Sequence, residues 1–527
     1  MRYKVRMERK LSDILDNKNV KEEFLNKKYM MHKYWGKKPA KELRKIIKEY
    51  SKEGDLLLDP FSGYGSFASE AVLENRNVVS NDLNPVSNFI TECLLEENVD
   101  VDKLQSYYEI VLKKCKKIRK KLYEYNSEWE IISTLRDRKG YIKKIKLNKK
   151  NKKENKEINV NSCEMVILYE QERKIKISEW YPDIEMIENS RISVKKNTKI
   201  TDFFNITSLK AHANLYSEIQ KLPNSSEKKL LLLAFSSNLA NCSKLVPPIK
   251  SRGEMSPGAW MTGFYIGSEY IENNVYHYFE NRVKKIISGK KEFLNQYYNL
   301  FPKGKYKITN MDAKKLEFKD NTFDLVFTDF PYGDTVPYFE QSILWNAWLK
   351  YNVDYKNEIV ISNSKMRNKT KEKFKEDIGK AIKEIHRVLK LGKKFIFTYH
   401  SLSGFEWLSI TNALQLAGFE IIDCELLQQK TFTPRQLNRN KTIKGDLIVV
   451  CRKIKNKNLK KVENENGIYL KILNKIFEDK NKVYETNDIF VKFLKELFKM
   501  NIYLTNLNII SLLLENTQLT VNGWRKK

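Results

Sequence analysis

Residues 321–334, Asn321-Thr-Phe-Asp-Leu-Val-Phe-Thr-Asp-Phe-Pro-Tyr-Gly-Asp334, decide how the chain is read. Leu325 to Phe327 is a short apolar run that ends at a polar turn, which is the pattern of a buried strand. Open α/β sheets bind ligands beyond the carboxyl ends of such strands. The turn that follows supplies an acid, Asp329, a proline, Pro331, and a ring, Tyr332. An acid there accepts hydrogen bonds from an amino group, and a ring stacks on a flat heterocycle.

Working outward, Asp55-Leu-Leu-Leu-Asp-Pro-Phe-Ser-Gly-Tyr-Gly-Ser-Phe-Ala-Ser-Glu70 reads as a strand (Leu56 to Leu58), a Gly-x-Gly turn and a helix. Gly63 and Gly65 let the backbone approach a ligand without Cβ clashes. The three-glycine fingerprint of dinucleotide binding is not present, which weighs against a nicotinamide cofactor. Asn77 to Asn81 predicts a second strand. Asp82 follows it, about 20 residues past the glycine turn, where an acid accepts from both hydroxyls of a ribose. Lys305 to Thr309 predicts a third strand, with Asp312 just beyond. Upstream, residues 12–50 read as helical and contain His32-Lys-Tyr-Trp-Gly-Lys-Lys-Pro-Ala-Lys-Glu-Leu43. Pro39 suits a first helical turn, whose free amides, with Lys37 and Lys38 beside them, would face an anion.

Taken together these stretches resemble the amino-methyltransferases. Asp329-Phe-Pro-Tyr332 is similar to their (Asp/Asn/Ser)-Pro-Pro-(Tyr/Phe/Trp) motif, with Phe330 in place of the first proline. Asp59-Pro60-Phe61-Ser-Gly63-Tyr-Gly65 is similar to their Asp-Pro-Phe-x-Gly-x-Gly motif. Asp82-Leu-Asn-Pro85 also matches, and Trp35 with Lys38-Pro39 comes where the family has a Lys-Pro segment that holds the carboxylate end of the cofactor. The resemblance spans roughly residues 28–98 and 303–452. It implies an α/β fold, a Rossmann-like class I methyltransferase sheet with helices on both faces. A large mixed α+β insertion and a small helical carboxy-terminal region are expected beside it. The implied cofactor is S-adenosylmethionine, bound by Trp35, Lys38, Pro39, Asp59, Pro60, Phe61, Gly63, Gly65, Asp82 and Asp312, the last accepting from the adenine amino group. Catalysis falls to Asp329, the Phe330 carbonyl, Pro331 and Tyr332, which stacks on an extruded base. No metal and no covalent intermediate is required.

The implied partner is double-stranded DNA, methylated on an exocyclic amino nitrogen. Asp at the first motif position leans towards adenine N6 over cytosine N4. A family acting on guanine N2 of RNA shares Asp-Pro-Pro-Tyr-Gly and keeps that substrate open. A catalytically inactive DNA-binding relative is the reading from another class, and Phe330 is its support. A separate restriction endonuclease, as in restriction-modification, is a partner this class allows.

Composition bounds the rest. The chain has 527 residues, and 97 lysines and arginines against 66 acids give a net charge of +31. Such a balance suits a polyanion, although a chain rich in Lys, Asn and Ile also follows from AT-rich coding. The six cysteines are scattered with no Cys-x-x-Cys, so a zinc ribbon and a disulfide framework are both disfavoured. A charged amino terminus and the lack of a long apolar run point to a cytoplasmic protein without membrane segments. The expected layout is residues 1–100 and 301–453 as the two parts of the methyltransferase domain. Residues 101–300 form the insertion, the candidate for target recognition, and 454–527 a helical accessory region. Within the insertion, a basic helix is expected over 103–125 and a β-ribbon over 140–180. Helices are expected at 206–221, 225–245 and 270–297. The glycine- and aromatic-rich stretch 250–268, with Arg252, Trp260, Phe264 and Tyr265, reads either as a contact for unstacked bases or as a loop packing its aromatics. Later, Tyr338 to Trp348 is expected to be one helix beside the site. The connection 430–444, with Lys430, Arg435, Arg439, Lys441 and Lys444, is a candidate phosphate contact.

Overall fold

The computed structural model describes residues 10–15, 26–150, 152, 154–401, 403–427, 445–455, 460–461, 463–479, 482–500, 502–520 and 523–527. The connection at 430–444 lies outside the described residues. The amino-terminal part supplies helices α1 (Leu11–Ile14) and α2 (Ala40–Tyr50), strand β1 (Leu56–Asp59), helix α3 (Ser66–Leu73), strand β2 (Asn77–Asn81) and helix α4 (Pro85–Leu95). The expected continuous helix over 12–50 is corrected. Residues 27–30 form a single 3₁₀ turn, and Pro39 caps α2 in an extended conformation. A proline disfavours helix in the residue before it, so the α2 pattern begins only after Pro39.

The middle of the chain holds α5 (Val101–Tyr123), β3 (Trp129–Asp137), β4 (Ile142–Lys149), β5 (Asn155–Asn159), α6 (Ser162–Arg173), α7 (Ile206–Gln220), α8 (Ser226–Leu239), β6 (Glu269–Asn273) and α9 (Val275–Tyr298). The four strands pair antiparallel in the order β5-β4-β3-β6. Two expectations change here. The apolar run Met165 to Glu170 is helix, not strand, because Asn161 and Glu164 form a reciprocal capping box at its start. The segment from 270 opens as an edge strand before α9 begins at Val275, where the Asn274 side chain caps the helix.

The chain then returns with β7 (Tyr306–Thr309), β8 (Phe323–Asp329), the short helices α10 (Tyr338–Gln341) and α11 (Ile343–Trp348), then α12 (Lys371–Val388), β9 (Leu389–Tyr399), α13 (Gly404–Ala417), β10 (Phe419–Leu427) and β11 (Asp446–Lys453). The expected helix 338–348 is broken at Ser342, a non-helical residue shared by both ends. Helices Glu465–Ile476, Thr486–Lys499 and Ile509–Asn516 follow, and the antiparallel strands Thr517–Thr520 and Gly523–Lys526 are added to the carboxy-terminal region read as helical.

Seven strands form the central sheet in the order β10-β11-β9-β8-β1-β2-β7. All neighbours run parallel except β11, which is antiparallel to both β9 and β10. This is the α/β sheet expected for a Rossmann-like methyltransferase. Alternation along each strand divides the core. Leu58, Val326, Phe395 and Phe397 pack on one face with α12 and α13. Leu57, Val78, Leu325, Phe327 and Ile396 pack on the other with α2 and α3. The chain order reverses between β1 and β8: β2 and β7 lie to one side, β9 to the other. Ligand-binding crevices open at such a switch point. The helices between β2 and β7 own no separate core. Val86, Phe89 and Ile90 of α4 and Leu344, Trp345 and Trp348 of α11 share one buried cluster with α7, α8 and α9. No helix among the described residues is long and apolar enough to cross a membrane.

Candidate active site

At the carboxyl ends of β1, β2 and β8 a cavity of about 900 Å³, open mouth included, enters the molecule. Its floor is the turn after β1. Gly63 and Gly65 have φ of +54° and +82°, values that L side chains avoid. A Cβ on Gly63 would stand 3.3 Å from the Tyr34 ring, and one on Gly65 would meet Thr91 at 2.5 Å. The turn is tied to β2 through Asp82. Its carboxylate accepts from the amides of Gly63 and Asn84, both at 2.8 Å. Burial pushes the Asp82 carboxyl up, and those two amides oppose the shift. Four lone-pair positions on a carboxylate leave Asp82 able to accept more. Asp59 is held well above the usual carboxylate range by burial, with the charges of Asp82 and Asp329 adding to it. Asp312 reaches the cavity from the exit of β7, accepting from the Lys314 amide at 2.9 Å and pairing with the Lys314 ammonium at 3.2 Å.

The other wall carries the turn after β8. The β8–β9 register sets Asp329 opposite Thr398, and the Thr398 hydroxyl donates to Asp329 Oδ1 at 2.7 Å. Lys38 Nζ lies 2.9 Å from Asp329 Oδ2 and 2.7 Å from Asp446 Oδ2. It also donates to the Tyr332 hydroxyl at 2.7 Å, which in turn donates to both Asp329 oxygens. Burial raises the Asp329 carboxyl to about 6; Lys38 opposes this and Asp446 adds to it. Burial works against the Lys38 ammonium, yet Asp329 and Asp446 together hold it above the ordinary lysine value. Gly36, at φ +74°, brings backbone against this carboxylate, so that a Cβ there would meet Asp329 Oδ2 at 2.8 Å.

Of the residues expected from the sequence, Trp35, Lys38, Asp59, Pro60, Phe61, Gly63, Asp82, Asp312, Asp329 and Pro331 all line this one cavity. Pro39, Gly65, Phe330 and Tyr332 stand behind the lining. The Phe330 ring is fully buried among Phe61, Phe395 and Phe397, with centroids 5.2–5.9 Å apart. Tyr332 turns its hydroxyl into the Lys38 cluster, and Tyr338 presents a ring to the cavity instead. Lys37, expected beside an anion, spends its ammonium on the carbonyls of Tyr29 and His32. Trp260 and Phe264 are buried, which decides for the packing loop at those two rings, while Tyr265 is half exposed.

Sequence reasoning missed Gly36, Tyr34, Thr398, Asp446 and Glu358. Asp446 was visible only as the first residue of an apolar strand. Glu358 lines the cavity, and burial raises its carboxyl to about 7 against the pull of Arg367. Several polar atoms in the lining, Trp35 Nε1, Ser62 Oγ, Ser66 Oγ and Glu358 Oε1, are buried with no hydrogen-bond partner among the described residues. A cavity with this glycine floor, two acceptor carboxylates and unpaired polar atoms fits a nucleoside cofactor with hydroxyl and amino donors.

Residues 2–92 match the family model described as DNA methylase, the N6/N4 class. A curated tRNA (guanine(37)-N(1))-methyltransferase from Candida albicans is 29% identical over 122 residues, 23% of this chain, and the chain spans about a quarter (26%) of that relative's length. Among solved structures, the rRNA methyltransferase aviRa from Streptomyces viridochromogenes aligns over 79% of this chain and 86% of its own, at 8% identity and a TM-score of 0.25. A SAM-dependent methyltransferase from Methanosarcina mazei aligns over 31% of this chain and 77% of its own, at 13% identity and a TM-score of 0.18. The fold assignment rests on the strand order above and not on these low-scoring likenesses. The matched segment contains the Lys-Pro stretch, the Gly-x-Gly turn and Asp82, and over residues 2–92 this chain is similar to DNA methylases of the N6-adenine/N4-cytosine class.

Proposed function

We propose that this chain transfers a methyl group from S-adenosylmethionine to the exocyclic amino nitrogen of a flipped base in double-stranded DNA, adenine N6 ahead of cytosine N4. The observation that carries the reading is Asp329, a carboxylate at the end of β8 facing the same cavity as the Gly63 turn and Asp82. When bound, the cofactor supplies an electrophilic methyl group. Asp82 accepts from its ribose and Asp312 from its adenine amino group, while Gly63 leaves room for it against Tyr34.

The target nitrogen is a poor nucleophile because its lone pair is conjugated with the ring. Asp329 accepts one of its N–H groups and the Phe330 carbonyl the other. Two acceptors out of the ring plane favour tetrahedral nitrogen, whose lone pair is free to attack. Asp329 already accepts from Lys38, Thr398 and Tyr332, and a carboxylate with roughly four acceptor positions keeps one for the target. As a carboxylate it is also the nearest base for the proton that the methylated nitrogen sheds. Pro331 fixes the turn that aims the Phe330 carbonyl. Tyr338 and Trp35 offer aromatic surface in the lining; the stacking role expected of Tyr332 requires its ring to act with the hydroxyl tied. The base has to leave the duplex to reach this depth.

The match to a tRNA methyltransferase over 122 residues favours RNA as the second substrate class. The two readings separate when the protein is given labelled S-adenosylmethionine with duplex DNA and, in parallel, unmodified transfer RNA. Label in DNA alone is the expected result. Label in RNA alone, or in guanine of either polymer, overturns the DNA assignment.

A further inference from the structure

Lys38 lies in the segment expected to hold the cofactor's carboxylate, yet its ammonium is already bound between two acids. It contacts Asp329 at 2.9 Å and Asp446 at 2.7 Å, and the side chains of Lys38 and Asp446 are 3% and 2% exposed. It also donates to the Tyr332 hydroxyl at 2.7 Å. Three elements distant in sequence meet here: the turn before α2, the end of β8 and the start of β11. A second ion pair buried this deeply is costly unless each charge is satisfied. An ordinary structural bridge would need one acid, and this site has two, one of which is the proposed catalytic group.

We propose that Lys38 and Asp446 are positioning residues that set the charge and direction of the Asp329 carboxylate, with Lys38 keeping it ionised and Asp446, which shares the Lys38 ammonium, working against that pull. This deepens the methyl-transfer reading and rests on it for its functional half. Lys38 pairs with Oδ2, Thr398 donates to Oδ1, and the one hydroxyl hydrogen of Tyr332 is shared between the two oxygens, which leaves one of roughly four acceptor positions for the target. Asp446 has an opposing effect of its own, because its negative charge adds to the burial that raises Asp329. The groups facing Asp329 are Lys38 from the segment before α2, Asp59 from β1, Tyr332 from the turn after β8, Tyr338 from α10, and Asp446 from β11. His400 lies behind, 3.6 Å from the far oxygen of Asp446.

Removing Lys38 and removing Asp446 therefore move Asp329 in opposite directions, and a bridge with no bearing on the reaction would move the titration without moving the acid limb of kcat. The test compares wild type, Lys38→Met, Lys38→Arg and Asp446→Asn, with Asp329→Asn as reference. Aspartate ¹³C-carboxyl signals are titrated by nuclear magnetic resonance, and the Asp329 signal is the one missing from Asp329→Asn. Methyl transfer is measured against pH on the same proteins. Expected is an upward shift of the Asp329 titration by about 1–3 pH units in Lys38→Met, a downward shift in Asp446→Asn, and a value near wild type in Lys38→Arg. The acid limb of kcat moves with each titration, while KM for S-adenosylmethionine changes less than kcat. An unmoved titration in folded Lys38→Met and Asp446→Asn overturns the proposal, as does a shift of the same sign in both. A Lys38→Met defect confined to KM for the cofactor also overturns it, and returns Lys38 to cofactor binding. Opposite titrations in a protein that methylates no nucleic acid uphold the charge-setting pair and remove the methyl-transfer reading alone.

Discussion

At Phe330 the side chain points into the core, and the backbone carbonyl is the proposed second acceptor. The ring fills the space between Phe61, Phe395 and Phe397, and the amide donates to the Thr398 carbonyl at 3.3 Å. A proline there would lose both. Phe330→Pro, which restores the family motif, is expected to lower the melting temperature and not to raise activity. Phe330→Ala is expected to cost about 3–5 kcal/mol of stability in denaturant unfolding. Gly36→Ala attacks the site from the other side. Its Cβ would strike Asp329 Oδ2 and its φ is strained, so kcat is expected to fall roughly 100-fold, with S-adenosylmethionine affinity in calorimetry much less affected. Because Asp329 titrates near 6 and has to be ionised to accept, methyl transfer is expected to decline as pH falls through about 6 and to level off above it. A rate independent of pH between 5 and 8 would count against Asp329 as the acceptor. Asp82, Gly63, Asp312 and Asp329 were legible in the sequence because each sits beside its own strand end. Thr398 and Asp446 were not. Thr398 is 69 residues from Asp329 and meets it through strand register, and Asp446 is 408 residues from Lys38, so only the tertiary fold brings that pair together.

Among the elements, the turn between β1 and α3 has the narrowest tolerance. Gly65 needs its positive φ, and a Cβ would collide with Thr91 on α4. Gly65→Ala is expected to cost about 1–3 kcal/mol and to weaken S-adenosylmethionine binding, both measurable by melting curves with and without cofactor. Equal stabilisation by cofactor in wild type and variant would show that the turn is not part of its site. Strands β1 and β8 were readable because each holds a short apolar run closed by a turn, and β2 and β7 because each runs into an acid, Asp82 and Asp312. The run at Met165 to Glu170 has the same composition and is a helix. Periodicity cannot decide so short a segment, whereas the Asn161–Glu164 capping box could have. The break at Ser342 was hidden for a different reason. Ser342 donates towards Phe339 and receives from Asn84 and Asn346, so tertiary contacts interrupt a pattern that reads as continuous.

For the whole molecule, the stretch around residues 189–191 is joined to the chain that follows β8. Arg191 pairs with Asp334, and Asn189 donates to Glu340 at 3.1 Å, both just past the Asp329 motif. Contacts of this kind were not legible, since nothing in the inserted sequence names its partners. The net charge of +31 was. It leads to a salt test: affinity for duplex DNA is expected to fall roughly 10³-fold or more between 50 and 200 mM salt, measured by fluorescence anisotropy, and a flat salt response would remove the polyanion from the reading. The most direct measurement of the central claim is mass spectrometry of nucleosides from duplex DNA incubated with S-adenosylmethionine and either wild-type protein or Asp329→Ala. N6-methyladenine formed by the wild type and lost in the variant is the expected result. Equal methylation by both proteins, or none by either while cofactor is still bound, would contradict amino-methyl transfer at Asp329.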